Sequence, residues 1–133
     1  MDNNLKLLMK ESIEYSDYSP YCAYEEYEGV FDEAGHSINA IGVTTDDEIV
    51  LSFDHKDLVR KDQCTSDIIF FIGGKCSTFS HLCNRIDYIE RKFENNQLPI
   101  KIKGNDGKIY NIKDIVIDCK CKRIVFVADY KYK

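Results

Sequence analysis

The sequence predicts an α+β domain: a mostly antiparallel sheet of five or six strands, a long helix over residues 77–95 packed across it, and a second helix at the N-terminus. Three observations predict it. A continuous apolar run over residues 68–72 stops at Gly73-Gly74, as a buried strand does before a turn. Phe79, Leu82, Cys83, Ile86, Ile89 and Phe93 then recur at spacings of three and four, which places them on one helical face. Beyond Pro99 the chain alternates apolar residues with lysine and turns at Gly104-Asn105-Asp106-Gly107, whose residues tolerate positive φ.

Taken from the start, Asp2 or Asn3 is placed to cap a first helix, with Leu5, Leu8, Met9 and Ile13 as its apolar stripe. Tyr15, Tyr18, Tyr21, Tyr24 and Tyr27 follow at every third position, broken by Pro20. Four such steps drift about 240° around an α-helix, so these rings do not share one α-helical face. Residues 29–37 read as a loop turning at Gly35. Residues 38–43 and 48–53 read as a hairpin joined through Thr44-Thr45-Asp46-Asp47, and residues 54–67 as a connecting loop with room for one helical turn.

The apolar run at 68–72 reads as a strand buried on both faces and central in the sheet. Ser77 or Thr78 caps the long helix, and Asn95-Asn96 with Pro99 stops it. Residues 100–103 and 108–117 form a second hairpin. Its return strand loses alternation near 112–115, which predicts a bulge or a short turn at Lys113-Asp114. Residues 123–128 complete a meander.

With 133 residues and 44% hydrophobic content, the chain fits one domain over 1–133. It holds no run of 18 apolar residues and no secretion signal at its start, so a cytoplasmic protein with six free thiols is expected, with no membrane contact. The net charge of -5 conceals an asymmetry: residues 1–67 hold 16 acids and 5 bases, whereas residues 68–133 hold 7 acids and 13 bases. An acidic half repels phosphate, which makes direct nucleic-acid binding an unfavoured function.

That asymmetry points to a surface. Tyr18, Tyr21, Tyr24 and Tyr27 stand among Glu25, Glu26 and Glu28 within an acidic stretch running from Glu14 to Glu33. Tyrosine supplies rigid, amphipathic contact area at low entropic cost, and carboxylates steer a basic protein by long-range attraction. The expected function is a small, non-enzymatic binding or inhibitory protein acting on a basic partner such as a nucleic-acid-handling complex. In general character the chain resembles the small accessory proteins of viruses and mobile elements, including inhibitors of host nucleases.

Two other chemistries are weighed. Gly73, Gly74, Lys75, Ser77 and Thr78 lie between a strand and a helix start, where free N–H groups favour an anion such as a nucleotide phosphate. The pattern departs from a Walker loop, because Ile69 stands in place of the first glycine and Cys76 in place of the magnesium-binding hydroxyl. A thiol enzyme would pair Cys22, Cys64 or Cys76 with His36, His55 or His81, with no local signature to select one. Cys119-Lys-Cys121 lacks the C-x-x-C spacing of structural zinc knuckles, so no metal and no cofactor is expected.

Overall fold

A computed structural model of the chain describes residues 30–54, 56, 58–61, 63–76, 78–118 and 123–130. The expected N-terminal helix and the tyrosine repeat lie outside them. The described residues form strands β1 (Val30–Phe31), β2 (Ala40–Thr44), β3 (Ile49–Ser52), β4 (Val59–Arg60), β5 (Gln63–Cys64), β6 (Ile68–Gly73), β7 (Ile100–Lys103), β8 (Ile109–Asp118) and β9 (Arg123–Ala128). One helix, α1 (Phe79–Lys92), separates β6 from β7.

Seven strands join one curled, mixed sheet in the order β1-β9-β8-β7-β3-β2-β6, and β4 and β5 form a separate ribbon. This corrects the expected α+β class, its sheet of five or six mostly antiparallel strands and the long helix over 77–95: the described residues are mostly β, with one short helix among nine strands. β1 lies parallel to β9, and β3 parallel to β7. The helix has 14 residues: Thr78, in extended geometry, accepts from the His81 N–H at its start, and Phe93 closes its end. Glu94 at φ 51° then turns the chain away.

A second correction concerns the run at 68–72. β6 stands at an end of the sheet and not at its centre. Its apolar residues are partly covered on both faces, with Ile69 left exposed. On the inner side Phe70 stacks on Tyr88 of α1, meets Phe93 edge-on and lies under the Lys92 ammonium at 5.0 Å. On the outer side Ile68 and Phe71 join Ala40, Leu58 and Val59 in a small cluster beneath the ribbon. The ribbon itself occupies the stretch expected to be a connecting loop with room for one helical turn, and at two residues per strand it carries no readable alternation. Gly42 lets it approach, since a Cβ there would stand 3.2 Å from the Leu58 Cδ1.

The curl has a visible cause. β8 pairs through Ile109–Asn111 with β7 and through Ile112–Asp118 with β9, with a register shift between Ile112 and Asp114. The extra residue bends the strand and resets its phase, so that Tyr110, Ile112 and Ile115 all face the core. The segment entering β2 then ties the two ends of the sheet together. Ile38 N–H donates to the Val30 carbonyl (3.2 Å), while its own carbonyl accepts from Cys76 N–H beyond β6 (3.0 Å). Inside this curl lie Phe79, Leu82, Ile86 and Ile89 of α1 against Ile41, Val43, Ile49, Leu51, Ile100, Ile102, Ile124 and Phe126. Burying each such side chain contributes about 1.5–3 kcal/mol.

Candidate functional site

Where β1 runs out, Asp32 folds the next residues back on themselves. Its carboxylate accepts from His36 N–H (2.8 Å) and lies 3.2 Å from the His36 Nδ1, and its carbonyl accepts from Gly35 N–H (3.1 Å). Gly35 sits at φ 88°, which a side chain rarely adopts. Glu33, next along, reaches across the sheet, and its Oε1 accepts from Ala128 N–H at the end of β9 (3.2 Å).

The turn joining β7 to β8 stands opposite. Gly104 N–H donates to the Lys108 carbonyl (2.8 Å), Gly107 at φ 78° closes the turn, and Asp106 accepts from Lys108 N–H (3.0 Å). The Tyr110 hydroxyl donates to the other Asp106 oxygen. The Tyr110 and Tyr130 rings meet edge to face, with centroids 4.7 Å apart. Both rings lie over Gly104, where a Cβ would stand 2.7 Å from Tyr110 Cε2 and 2.9 Å from Tyr130 Cε1. Glycine is required at this point by the close approach of the two rings.

These two loops enclose a pair of clefts with Asn105 in the wall of both. One, of about 570 Å³, is lined by Glu33, Ala34, Asn105, Asp106, Tyr110 and Tyr130. The other, of about 330 Å³, is lined by Asp32, His36, Phe53, Asp54, Lys103, Gly104 and Asn105. Asp32, Glu33, Asp54 and Asp106 thus stand against Lys103 alone among the fixed charges of the described walls. The Tyr110 hydroxyl bond, followed by Lys108 N–H, holds the Asp106 carboxyl below the usual carboxylate range. The same bond, with burial behind it, pushes the Tyr110 phenol up to about 12. A network of this kind can hold a cation-bearing side chain.

The segment from Glu14 to Glu33 enters the described residues only at its end, where Asp32 and Glu33 line the clefts. Tyr18, Tyr21, Tyr24, Glu25, Glu26, Tyr27 and Glu28 lie outside the described residues. Sequence reading missed Asp54, Asp106, Tyr110 and Tyr130 as site residues. The available signal was Asp106 four residues before Tyr110 across a glycine-bounded turn, a spacing that places carboxylate and phenol on one hairpin. The charge asymmetry is partly neutralised by folding: Lys101 lies 3.9 Å from the Glu48 carboxylate and donates to Asn111.

At the glycine turn, Gly74 adopts φ 112° and its N–H donates to the Asn39 carbonyl (2.8 Å), as Cys76 N–H does to Ile38. Those two donors point at protein carbonyls and not at an anion. Arg85 donates to the Gly74 carbonyl and lies 3.4 Å from the Cys76 sulfur, Lys75 is exposed, and Ser77 lies outside the described residues. Burial pushes the Cys76 thiol up, against the opposing pull of Arg85, which keeps it a poor nucleophile. Cys64 is exposed on the ribbon, and Cys22, Cys119, Cys121 and His55 lie outside the described residues. No helix among the described residues is long and apolar enough to cross a membrane. Comparison with protein-family models, curated proteins and solved structures finds no match to this chain.

Proposed function

We propose that this chain is a small binding protein, not an enzyme, that holds a basic protein partner against an acidic, tyrosine-bearing surface. The observation that carries the reading is the convergence of Asp32, Glu33, Asp54 and Asp106 around the turn at Gly104–Gly107, beside a Tyr130 ring that is 43% exposed. By composition the acidic tyrosine segment from Glu14 to Glu28 offers the same contact chemistry, with Tyr18, Tyr21, Tyr24 and Tyr27 as anchors and Glu25, Glu26 and Glu28 as steering charges. Such a surface competes for the basic sites of a nucleic-acid-handling complex, in the manner of an inhibitor. Phosphate is repelled by the same carboxylates.

The test is capture of partners by the full chain from a cell lysate, followed by binding kinetics on the purified pair. A stoichiometric basic protein is expected, released as salt rises from 0.1 to 1 M and the screening length falls from about 10 Å to about 3 Å. Glu25→Lys, Glu26→Lys and Glu28→Lys together should slow association, with a melting curve of the variant confirming that it is folded. A partner indifferent to salt and to the triple variant, or a nucleotide in its place, would overturn the reading.

A further inference from the structure

We infer that the cleft between Glu33 and Tyr130 is an arginine subsite: it takes a guanidinium group of the basic partner flat against the Tyr130 ring, with the Glu33 and Asp106 carboxylates at its rim. The inference rests on the binding function proposed above and specifies which side chain that surface selects. Its foundation is the tyrosine pair. Tyr110 is buried and meets Tyr130 edge to face, Gly104 supports both rings, and the Tyr110 hydroxyl is tied to Asp106. Tyr130 is therefore held in one orientation while nearly half of it stays open in the cleft lining. An aromatic ring fixed before binding offers a cation the negative face of its π-system without a further ordering cost.

The polar groups select the kind of cation. Glu33 spends Oε1 on Ala128 N–H, which fixes the carboxylate and leaves Oε2 without a partner among the described residues. Asp106 accepts one bond at each oxygen, from Lys108 N–H and from the Tyr110 hydroxyl, and each oxygen retains a second lone pair. Asn105 adds an amide to the wall. Acceptors that line one cleft with a flat aromatic ring match a planar group with five donors. Arginine carries that group and is weakly hydrated, whereas the lysine ammonium is a compact, strongly hydrated point charge that gains less from the ring. Lys103 lines the neighbouring cleft and shares a small pocket behind it with Glu33, Asn105 and Tyr130, but it is not in the wall of the larger cleft that exposes the Tyr130 ring.

The experiment compares nona-arginine and nona-lysine peptides of equal charge, titrated into the full chain at one fixed salt concentration. The arginine peptide should bind about tenfold more tightly. Tyr130→Leu should remove the preference and leave both peptides bound equally, and Tyr130→Phe should keep it. Ethylguanidinium added to the wild-type protein should shift the amide resonances of Gly104, Asn105, Gly107 and Ala128, a readout that needs no variant. Equal binding of the two peptides by the wild type overturns the arginine subsite and leaves the acidic binding surface standing. Arginine preference that survives Tyr130→Leu, or guanidinium shifts elsewhere, overturns the assignment to this cleft. Failure of both peptides to bind overturns the subsite and the proposed function together.

Discussion

The helix-covered wall of the sheet and the cleft at its far side are built on opposite logics. The wall assembles neighbours in sequence: β6, the connection after it and α1 pack Phe70 onto Tyr88 and Phe93, all within about one fifth of the chain. The cleft assembles strangers, joining Glu33 to Ala128 across 95 residues and bringing the turn at Gly104–Gly107 against both. In the wall, apolar burial does the holding and tolerates variation in shape. In the cleft, a few directional bonds and one missing Cβ set the geometry, and little apolar area backs them.

The contrast is easiest to break in the wall. Ile86 is 1% exposed at the centre of the helix face, so Ile86→Asp places an unpaired charge in the core. The loss should be on the order of 5 kcal/mol, comparable to the whole stability of a domain of this size, and no cooperative thermal transition should remain. A cooperative melt would show that α1 is not the keystone of the core.

Gly104→Val is the matching lesion in the cleft, and its expected cost is smaller, about 1–3 kcal/mol, because the half-exposed Tyr130 ring can give way while Tyr110 stays in the core. The near-ultraviolet signal of the tyrosines should fall while the far-ultraviolet spectrum stays. A variant with an intact tyrosine signal would mean that the rings do not rest on this glycine.

Returning to the wall, Thr78→Ala deletes the side-chain acceptor for His81 N–H and should cost about 1 kcal/mol in urea denaturation. The figure separates helix capping from core burial, since the Phe79 ring is untouched by it.

The smallest effect lies in the Asp106–Tyr110 pair and appears only at extremes of pH. Asp106 is lowered in the folded state, so its contribution is present above the ordinary value of 3.8 and is lost as the pH falls through the lower folded value. Tyr110 is raised from 10.0 to about 12, so its contribution is complete below 10.0 and is lost as the pH climbs towards about 12. Melting temperature against pH should show both limbs, and Tyr110→Phe should flatten the alkaline one. An unchanged alkaline limb in Tyr110→Phe would assign it to other tyrosines.

Local patterns reached the wall and stopped short of the cleft. Phe79, Leu82, Ile86 and Ile89 announce their face by spacing, because the helical period is set within four residues. The bulge in β8 was readable as a break in alternation at Lys113-Asp114, where the register shift falls. What spacing cannot encode is which strand lies beside which. The run at 68–72 looks central because it is apolar throughout, yet a helix on one side and a two-residue ribbon on the other cover it only in part at a sheet end, and Ile69 stays exposed. β1 is two residues long and has no period at all, and its parallel pairing with β9 depends on the whole intervening chain. The cleft inherits that dependence. Asp32 and Glu33 belonged to the acidic segment on composition alone, whereas nothing near Tyr130 in the sequence names Gly104 as its support.

The bond from Ala128 N–H to Glu33 has a consequence for the order of events in folding. Closing a contact across 95 residues yields its reward only after the entropy of the enclosed chain has been lost, and topologies with many such contacts fold slowly. Hairpins β2–β3 and β7–β8 close short loops and can form early. The cleft comes into being when β9 docks beside β1, so a nascent chain still short of residue 128 has a core in progress and no site. In a stopped-flow refolding experiment the tyrosine signal of the cleft is expected to recover after the far-ultraviolet signal of the hairpins, and simultaneous recovery would contradict this order. A surface that needs Ala128 and Tyr130 in place cannot capture its partner before those residues have been synthesised.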